Sequence, residues 1–225
     1  IKVQEDQFPY KEFMNLGYNA IVYGQKAYNG VAILSTIGVN RVTRGFEQEQ
    51  IKNEARMLLA DLDFLKLITV YVPNAKNVAD YTFKHKINWL NNLYMFINEN
   101  YSKDDSIIIC GDFNVAPGSD DLDNPLYPLY QTFIHSAVRR EFYRILNWGL
   151  NDSFRLLNTS SGNYTWWDYR GKAFEKNKGM RIDHVLISDN LKQSLTNIVI
   201  DKNARAKEYE KIYYDLAEKL KKTIH

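Results

Sequence analysis

Three short segments carry residue types that phosphoester chemistry uses. In Ile107-Ile108-Ile109-Cys110-Gly111-Asp112-Phe113-Asn114-Val115-Ala116-Pro117 an apolar run ends in a carboxylate and a carboxamide two residues apart. At the C-terminal end of a strand such groups can converge on a phosphate, the carboxylate activating water or holding a cation, the amide binding a non-bridging oxygen. The same pair serves equally in an Asx turn, with Asp112 and Asn114 bonding only the local backbone. Thr69-Val70-Tyr71-Val72-Pro73-Asn74 also ends in polar groups beside a turn. Its tyrosine could donate to a phosphate, although in a chain with 16 tyrosines packing is the commoner use. The third segment is Tyr164-Thr165-Trp166-Trp167-Asp168-Tyr169-Arg170, followed by Gly179-Met180-Arg181-Ile182-Asp183-His184. Interleaved aromatics and arginines offer stacking surfaces and phosphate contacts for nucleic acid, or a core with arginines at its surface.

Such groups need rigid elements to aim them. Strand-like runs at residues 20–23, 31–35, 56–62, 64–72, 106–110 and 182–188 alternate with helix-like ones, which gives an α/β class without fixing the topology. Residues 79–99 place Phe83, Ile87, Leu90, Leu93, Tyr94 and Ile97 at helical spacing, and residues 138–148 do so with Phe142, Ile145 and Leu146. Turn chemistry at Asn29-Gly30, Pro73-Asn74 and Pro117-Gly118 falls where strands should end. Beyond Asn203 an amphipathic stripe of Tyr209, Ile212, Tyr213, Leu216 and Leu220 predicts a C-terminal helix, supported by the pairs Asp215–Lys219 and Glu218–Lys222.

The totals bound the reading. With 225 residues, 45% hydrophobic and 14% aromatic, the chain suits one large core. The 29 Lys plus Arg against 27 Asp plus Glu leave a net charge of only +2, so nucleic-acid affinity must come from a local basic face. A single cysteine, Cys110, makes no intramolecular disulfide and reads as a small buried side chain in a reducing compartment, the cytoplasm by default. No apolar run approaches the ~18 residues of a membrane span, and the polar start is no signal peptide, so no membrane association is expected.

The three segments occur in order together with Tyr28-Asn29-Gly30-Val31-Ala32-Ile33-Leu34-Ser35 and Gly149-Leu150-Asn151-Asp152-Ser153-Phe154-Arg155. With those intervening lengths they resemble successive motifs of the exonuclease III-like apurinic/apyrimidinic endonucleases, in the endonuclease/exonuclease/phosphatase superfamily. The resemblance covers roughly residues 1–207, and the ordered set is far more specific than any one piece. It implies a four-layer α/β sandwich, two packed mixed sheets flanked by helices, as one domain over residues 1–207 followed by an amphipathic helix over residues 208–225.

The activity implied is hydrolysis of double-stranded DNA 5′ to abasic sites and removal of nucleotides or blocking groups from 3′ ends. Mg²⁺ or Mn²⁺ would stabilise charge on the phosphoryl group. By position, Asp112 resembles the general base that activates water, and Asn114 its neighbour that orients the water or steadies the phosphate. Both are implied near the metal. Tyr71 matches the active-site tyrosine, Asn74 shares its turn, and Asp183 matches the carboxylate that holds the catalytic histidine. Trp166, Met180 and Ile182 fall where the family lines a pocket for the flipped-out sugar. Lys26, Arg56 and Arg170 are implied contacts to the DNA backbone, and a monomer is expected.

Two pieces of the family pattern are not in this sequence: a metal-binding glutamate on a strand that would precede Ile1, and a C-terminal Ser-Asp-His motif, in whose place the sequence carries the amphipathic helix. A start at Ile rather than Met is expected of an incomplete gene product or trimmed chain, and the helix is expected to cover an otherwise unpaired sheet edge. Two other readings stay open beside the nuclease: a catalytically impaired DNA-binding remnant of the family, and a superfamily phosphatase.

Overall fold

The computed structural model describes residues 1–26, 28–46 and 54–206. In chain order the elements are α1 (Tyr10–Asn15), β1 (Asn19–Tyr23), β2 (Val31–Ser35), β3 (Arg41–Arg44), β4 (Met57–Asp61) and β5 (Lys66–Tyr71). Then follow α2 (Tyr81–Asn100), β6 (Ile107–Asp112), α3 (Gln131–Ile134), α4 (Ser136–Asn147), β7 (Leu150–Asp152) and α5 (Ser153–Leu157). The last are β8 (Trp166–Trp167), β9 (Gly179–Met180) and β10 (Asp183–Ser188), with short 3₁₀ turns between elements.

The centre is a six-stranded sheet in the order β3-β4-β5-β6-β10-β7. It is mixed: β5 and β6 run parallel, joined by the crossover helix α2, and every other neighbouring pair is antiparallel. Alternation along β4 shows how it is covered. Met57 and Leu59 join the cluster of Phe83, Leu90 and Leu93 from α2 and Phe142 from α4, whereas Leu58 and Ala60 face Val31 and Ile33 of β2. Both faces of β4 are therefore buried, as an apolar strand without alternation requires. The second sheet is represented among the described residues by the antiparallel pair β1–β2, which closes that opposite face. Each fully buried Leu or Ile contributes ~1.5–3 kcal/mol to this packing.

The expected strands and packing helices are present, and β2 has its expected ends. Arg41–Arg44, an edge strand with charged ends, has too few apolar residues to stand out in the sequence. β6 runs two residues past its expected end at 110. Gly111 makes that possible: at φ 136° a Cβ would stand 2.0 Å from the Val70 carbonyl oxygen, so only glycine lets β5 and β6 stay paired there. Cys110 is half-buried, not enclosed, and burial pushes its thiol pKa up. The predicted C-terminal stripe, and with it residues 208–225, lies outside the described residues; residues 202–206 are helical. Among the described residues no helix is long and apolar enough to cross a membrane.

Candidate active site

The pairing of three central strands assembles the site. Tyr71 at the end of β5 is the register partner of Asp112 at the end of β6, and Asp112 is the register partner of Asp183 at the start of β10. Register partners put their side chains side by side on one face, so residues 112 positions apart in sequence meet at one rim of the sheet. Asn114 follows immediately in a left-handed conformation, φ 51°, which Asn tolerates better than most residues. Its backbone N–H donates to Asp112 Oδ1 at 2.8 Å and its side-chain amide to the Val72 carbonyl at 2.8 Å. The Asx turn is therefore present, and it orients both groups; the carboxamide oxygen is the atom left for a ligand.

Asp112 has a carboxyl pKa pushed up to about 7, first by burial and then by the charge of Asp183, against the opposing pull of the Asn114 N–H, Lys86 and Arg205. Asp183 is raised as well, chiefly by burial, while the Thr165 hydroxyl and Arg205 draw it back. Two carboxylates held together out of bulk water resist joint ionisation, which is the electrostatic signature of a site waiting for a cation or a proton. Among the described residues no group of three or more His, Cys, Asp or Glu is placed to hold a metal ion. Two carboxylates and a carboxamide still suit a hard divalent cation such as Mg²⁺, which commonly binds through one or two carboxylates, water and substrate phosphate. The donor set fits.

Several supports were not singled out in the sequence. Lys86 of α2 is wholly buried, and its Nζ donates to the carbonyls of Asn114 at 2.5 Å and Thr132 at 2.8 Å. Burial lowers its pKa to about 7, opposed by Asp112. A signal existed: Phe83, Lys86, Leu90, Leu93 and Ile97 recur every three or four residues, placing a lysine on the apolar stripe. Thr165 Oγ1 accepts from the backbone N–H groups of Ile182 and Asp183, fixing the approach to β10.

The remaining sequence-selected residues fall into three places. Asn74, Trp166, Met180 and Arg170 line one groove of about 610 Å³, together with Phe133 and Tyr169. Trp166 stacks on Phe133 with centroids 6.4 Å apart, while Ile182 is buried beneath the groove in the cluster of Ala116, Leu122 and Met180. Arg170 is largely exposed and makes a two-pronged pair with Asp168. Arg56 turns inward: its guanidinium donates to the Tyr71 carbonyl at 3.1 Å, lies 4.9 Å from the Tyr71 ring centroid and pairs with Glu54. Lys26 is exposed in the β1–β2 connection, next to Gln25, whose side chain accepts from the Ala55 N–H. Of the histidines, His85 bonds Glu54, His135 caps α4, and His184 is buried on the face of β10 away from Asp183.

Residues 2–205 match the endonuclease/exonuclease/phosphatase family. The chain is 34% identical over 220 residues to exodeoxyribonuclease III of Haemophilus influenzae, covering 92% of this chain and 82% of that protein. Its fold superimposes on an AP endonuclease from Archaeoglobus fulgidus with a TM-score of 0.80 and 31% identity, over 85% of this chain and 75% of that one. A 3′ phosphatase from Neisseria, solved bound to a product DNA hairpin, gives a TM-score of 0.78 and 31% identity over the same shares of the two chains, 85% and 75%.

Proposed function

The chain belongs to the endonuclease/exonuclease/phosphatase family, and from that premise we propose that it is a DNA-repair hydrolase of the exonuclease III type, an apurinic/apyrimidinic endonuclease and 3′-5′ exonuclease. The observation that carries the reading is the meeting of Tyr71, Asp112 and Asp183 at one strand edge, beside the groove of Asn74, Trp166 and Arg170. The substrate is double-stranded DNA with abasic sites or 3′ ends, the protein acts as a cytoplasmic monomer, and nucleases of this family generally depend on a divalent metal.

In this reading Asp112 removes a proton from the attacking water. With no metal bound, burial and Asp183 raise this carboxyl to about 7, in the range that suits a general base at neutral pH, and a divalent cation beside it would draw the value down. Asn114 steadies water or phosphate with its carboxamide oxygen, and Tyr71 donates to the phosphate or leaving group from a ring held by Arg56. Asp183 keeps Asp112 basic and, with Asp112 and Asn114, would hold Mg²⁺ or Mn²⁺. A bound divalent ion supplies Lewis-acid stabilisation of the charge that develops on the phosphoryl oxygens. The groove receives the sugar at the abasic position, with Trp166 and Met180 as its apolar wall and Arg170 and Lys26 contacting the DNA backbone.

Incision of a labelled duplex with one abasic-site analogue, in Mg²⁺, Mn²⁺ or EDTA and beside Asp112→Ala, tests this. Metal-dependent cutting that disappears in the variant is expected. An Asp112→Ala protein that cuts as fast as wild type removes Asp112 from the mechanism. Among the described residues no third His, Cys, Asp or Glu joins Asp112 and Asp183, which favours a second reading, binding of abasic DNA without turnover. That reading predicts salt-sensitive binding with no incision in any metal.

A further inference from the structure

Behind the catalytic rim lies a group of charged residues that the mechanism above does not use. Arg181, two residues before Asp183, is 1% exposed. Its Nε donates to Asp121 Oδ1 at 2.8 Å, and Nη1 and Nη2 grip Asp152 at 3.1 and 2.7 Å. Arg155 also pairs with Asp121, so two arginines meet two aspartates and the set is electrically balanced.

His184 extends this arrangement. Its Nδ1 lies 2.9 Å from Arg181 Nη1, and its Nε2 lies 2.8 Å from the Val115 carbonyl oxygen. An arginine only donates and a carbonyl only accepts, so the ring has one way to satisfy both: Nδ1 accepts and Nε2–H donates. The imidazole is therefore neutral, in a single tautomer, and passes the hold of Arg181 on to Val115. Val115 follows Asn114 directly, and the backbone N–H of Phe113, between Asp112 and Asn114, donates to the Ile182 carbonyl at 2.9 Å. The ring of His184 also packs against Phe113 and Phe142, with centroids 5.5 and 4.9 Å away. Thus the turn that presents Asp112 and Asn114 is gripped by Lys86 at Asn114 and by His184 at Val115.

We propose that Arg181 and His184 are positioning residues for the hydrolysis proposed above: Arg181, through the neutral His184, fixes the turn that carries Asp112 and Asn114. The proposal rests on that functional reading for its consequence in catalysis, and on geometry alone for the positioning. Both residues are buried, at 1% and 3% exposure. A displacement of about 1 Å at a reacting group can cost ~10²-fold in rate, which sets the size of the expected effect.

The test compares His184→Phe, which keeps a ring and removes both polar contacts, with His184→Gln, which keeps a donor for Val115. In the Phe variant kcat for abasic-site incision falls ~10- to 100-fold while KM stays within about threefold. The Gln variant recovers most of kcat. A folded Phe variant with wild-type kcat overturns the proposal, and so does a Gln variant as slow as the Phe one. If the Phe variant does not fold, the imidazole nitrogens of the wild-type protein decide by ¹⁵N NMR: a proton on Nε2 supports the proposal, a proton on Nδ1 or on both overturns it. Should the wild-type protein fail to incise abasic DNA, the functional reading falls, whereas the ring tautomer and the amide shifts of Asn114 and Val115 in the two variants still judge the positioning.

Discussion

Two pairs of aspartates in this molecule have opposite surroundings. Asp112 and Asp183 sit at the rim of the sheet with raised pKa values, burial outweighing the pull of Arg205 on both carboxyls. Asp121 and Asp152 are tied to Arg181 and Arg155; burial would raise Asp121, and the Arg181 charge and its hydrogen bonds hold it below its ordinary value instead. The difference teaches how a fold separates support from chemistry. Charge that is balanced within the protein stiffens a framework, and charge left unbalanced is available to a cation, a proton or a phosphate.

The sharpest way to break this comparison is Asp112→Asn. Incision should fall by ~10²- to 10⁴-fold, the usual cost of a positioned base. The metal-free variant should nevertheless melt at a higher temperature than wild type at pH 8. A folded pKa near 7, above the unfolded 3.8, means that ionising Asp112 costs stability as pH rises through 7, and an amide avoids that cost. A variant that loses stability would show that the front pair is structural after all.

Arg181→Met attacks the other pair. It leaves the buried Asp121 and the half-buried Asp152 beside an apolar side chain, and urea unfolding should report a loss of ~3–5 kcal/mol. A loss under about 1 kcal/mol would mean that Arg155 and the backbone donors suffice. The neutral His184 gives the next effect. Its folded pKa of about 4 lies below the unfolded 6.5, so its contribution is intact above pH 6.5 and declines as pH falls toward 4, by up to about 3 kcal/mol in all. Asp112 titrates in the opposite sense over much of the same window. Melting curves of metal-free Asp112→Asn should therefore fall more steeply between pH 6.5 and 5 than those of wild type; parallel curves would refute the opposition. Arg170→Ala should do least: KM rises less than ~tenfold, kcat is unchanged, and the salt slope of binding drops by about one phosphate contact, since this exposed side chain is paired only at the surface.

How much of this could be read in advance differs between the two regions for a physical reason. The apolar run into Asp112 and the turn residues after it are local features, and a strand there follows from composition. That Tyr71 and Asp183 stand on either side of Asp112 depends on register across three strands, which local pattern does not encode. Motif order supplied the membership of the site, and pairing supplied its shape. The rear network was invisible because Asp121 and Arg181 are 60 residues apart and each looks like an ordinary surface charge. Arg56 was expected to reach for DNA, yet it spends its guanidinium on Glu54 and on Tyr71. Lys86 was legible in principle, since its place in the Phe83–Ile97 stripe conflicts with its charge.

The close approach at Gly111 has a consequence for how this protein can vary. Position 111 admits no side chain, because the Val70 carbonyl already occupies the space a methyl group would need. In a saturation library of residues 110–114 this codon should return to glycine in every active clone, while 110 tolerates small replacements. Adaptation of this edge is therefore confined to what hangs from a backbone that cannot itself be renegotiated. A new substrate would have to be won at the groove wall, one aromatic at a time.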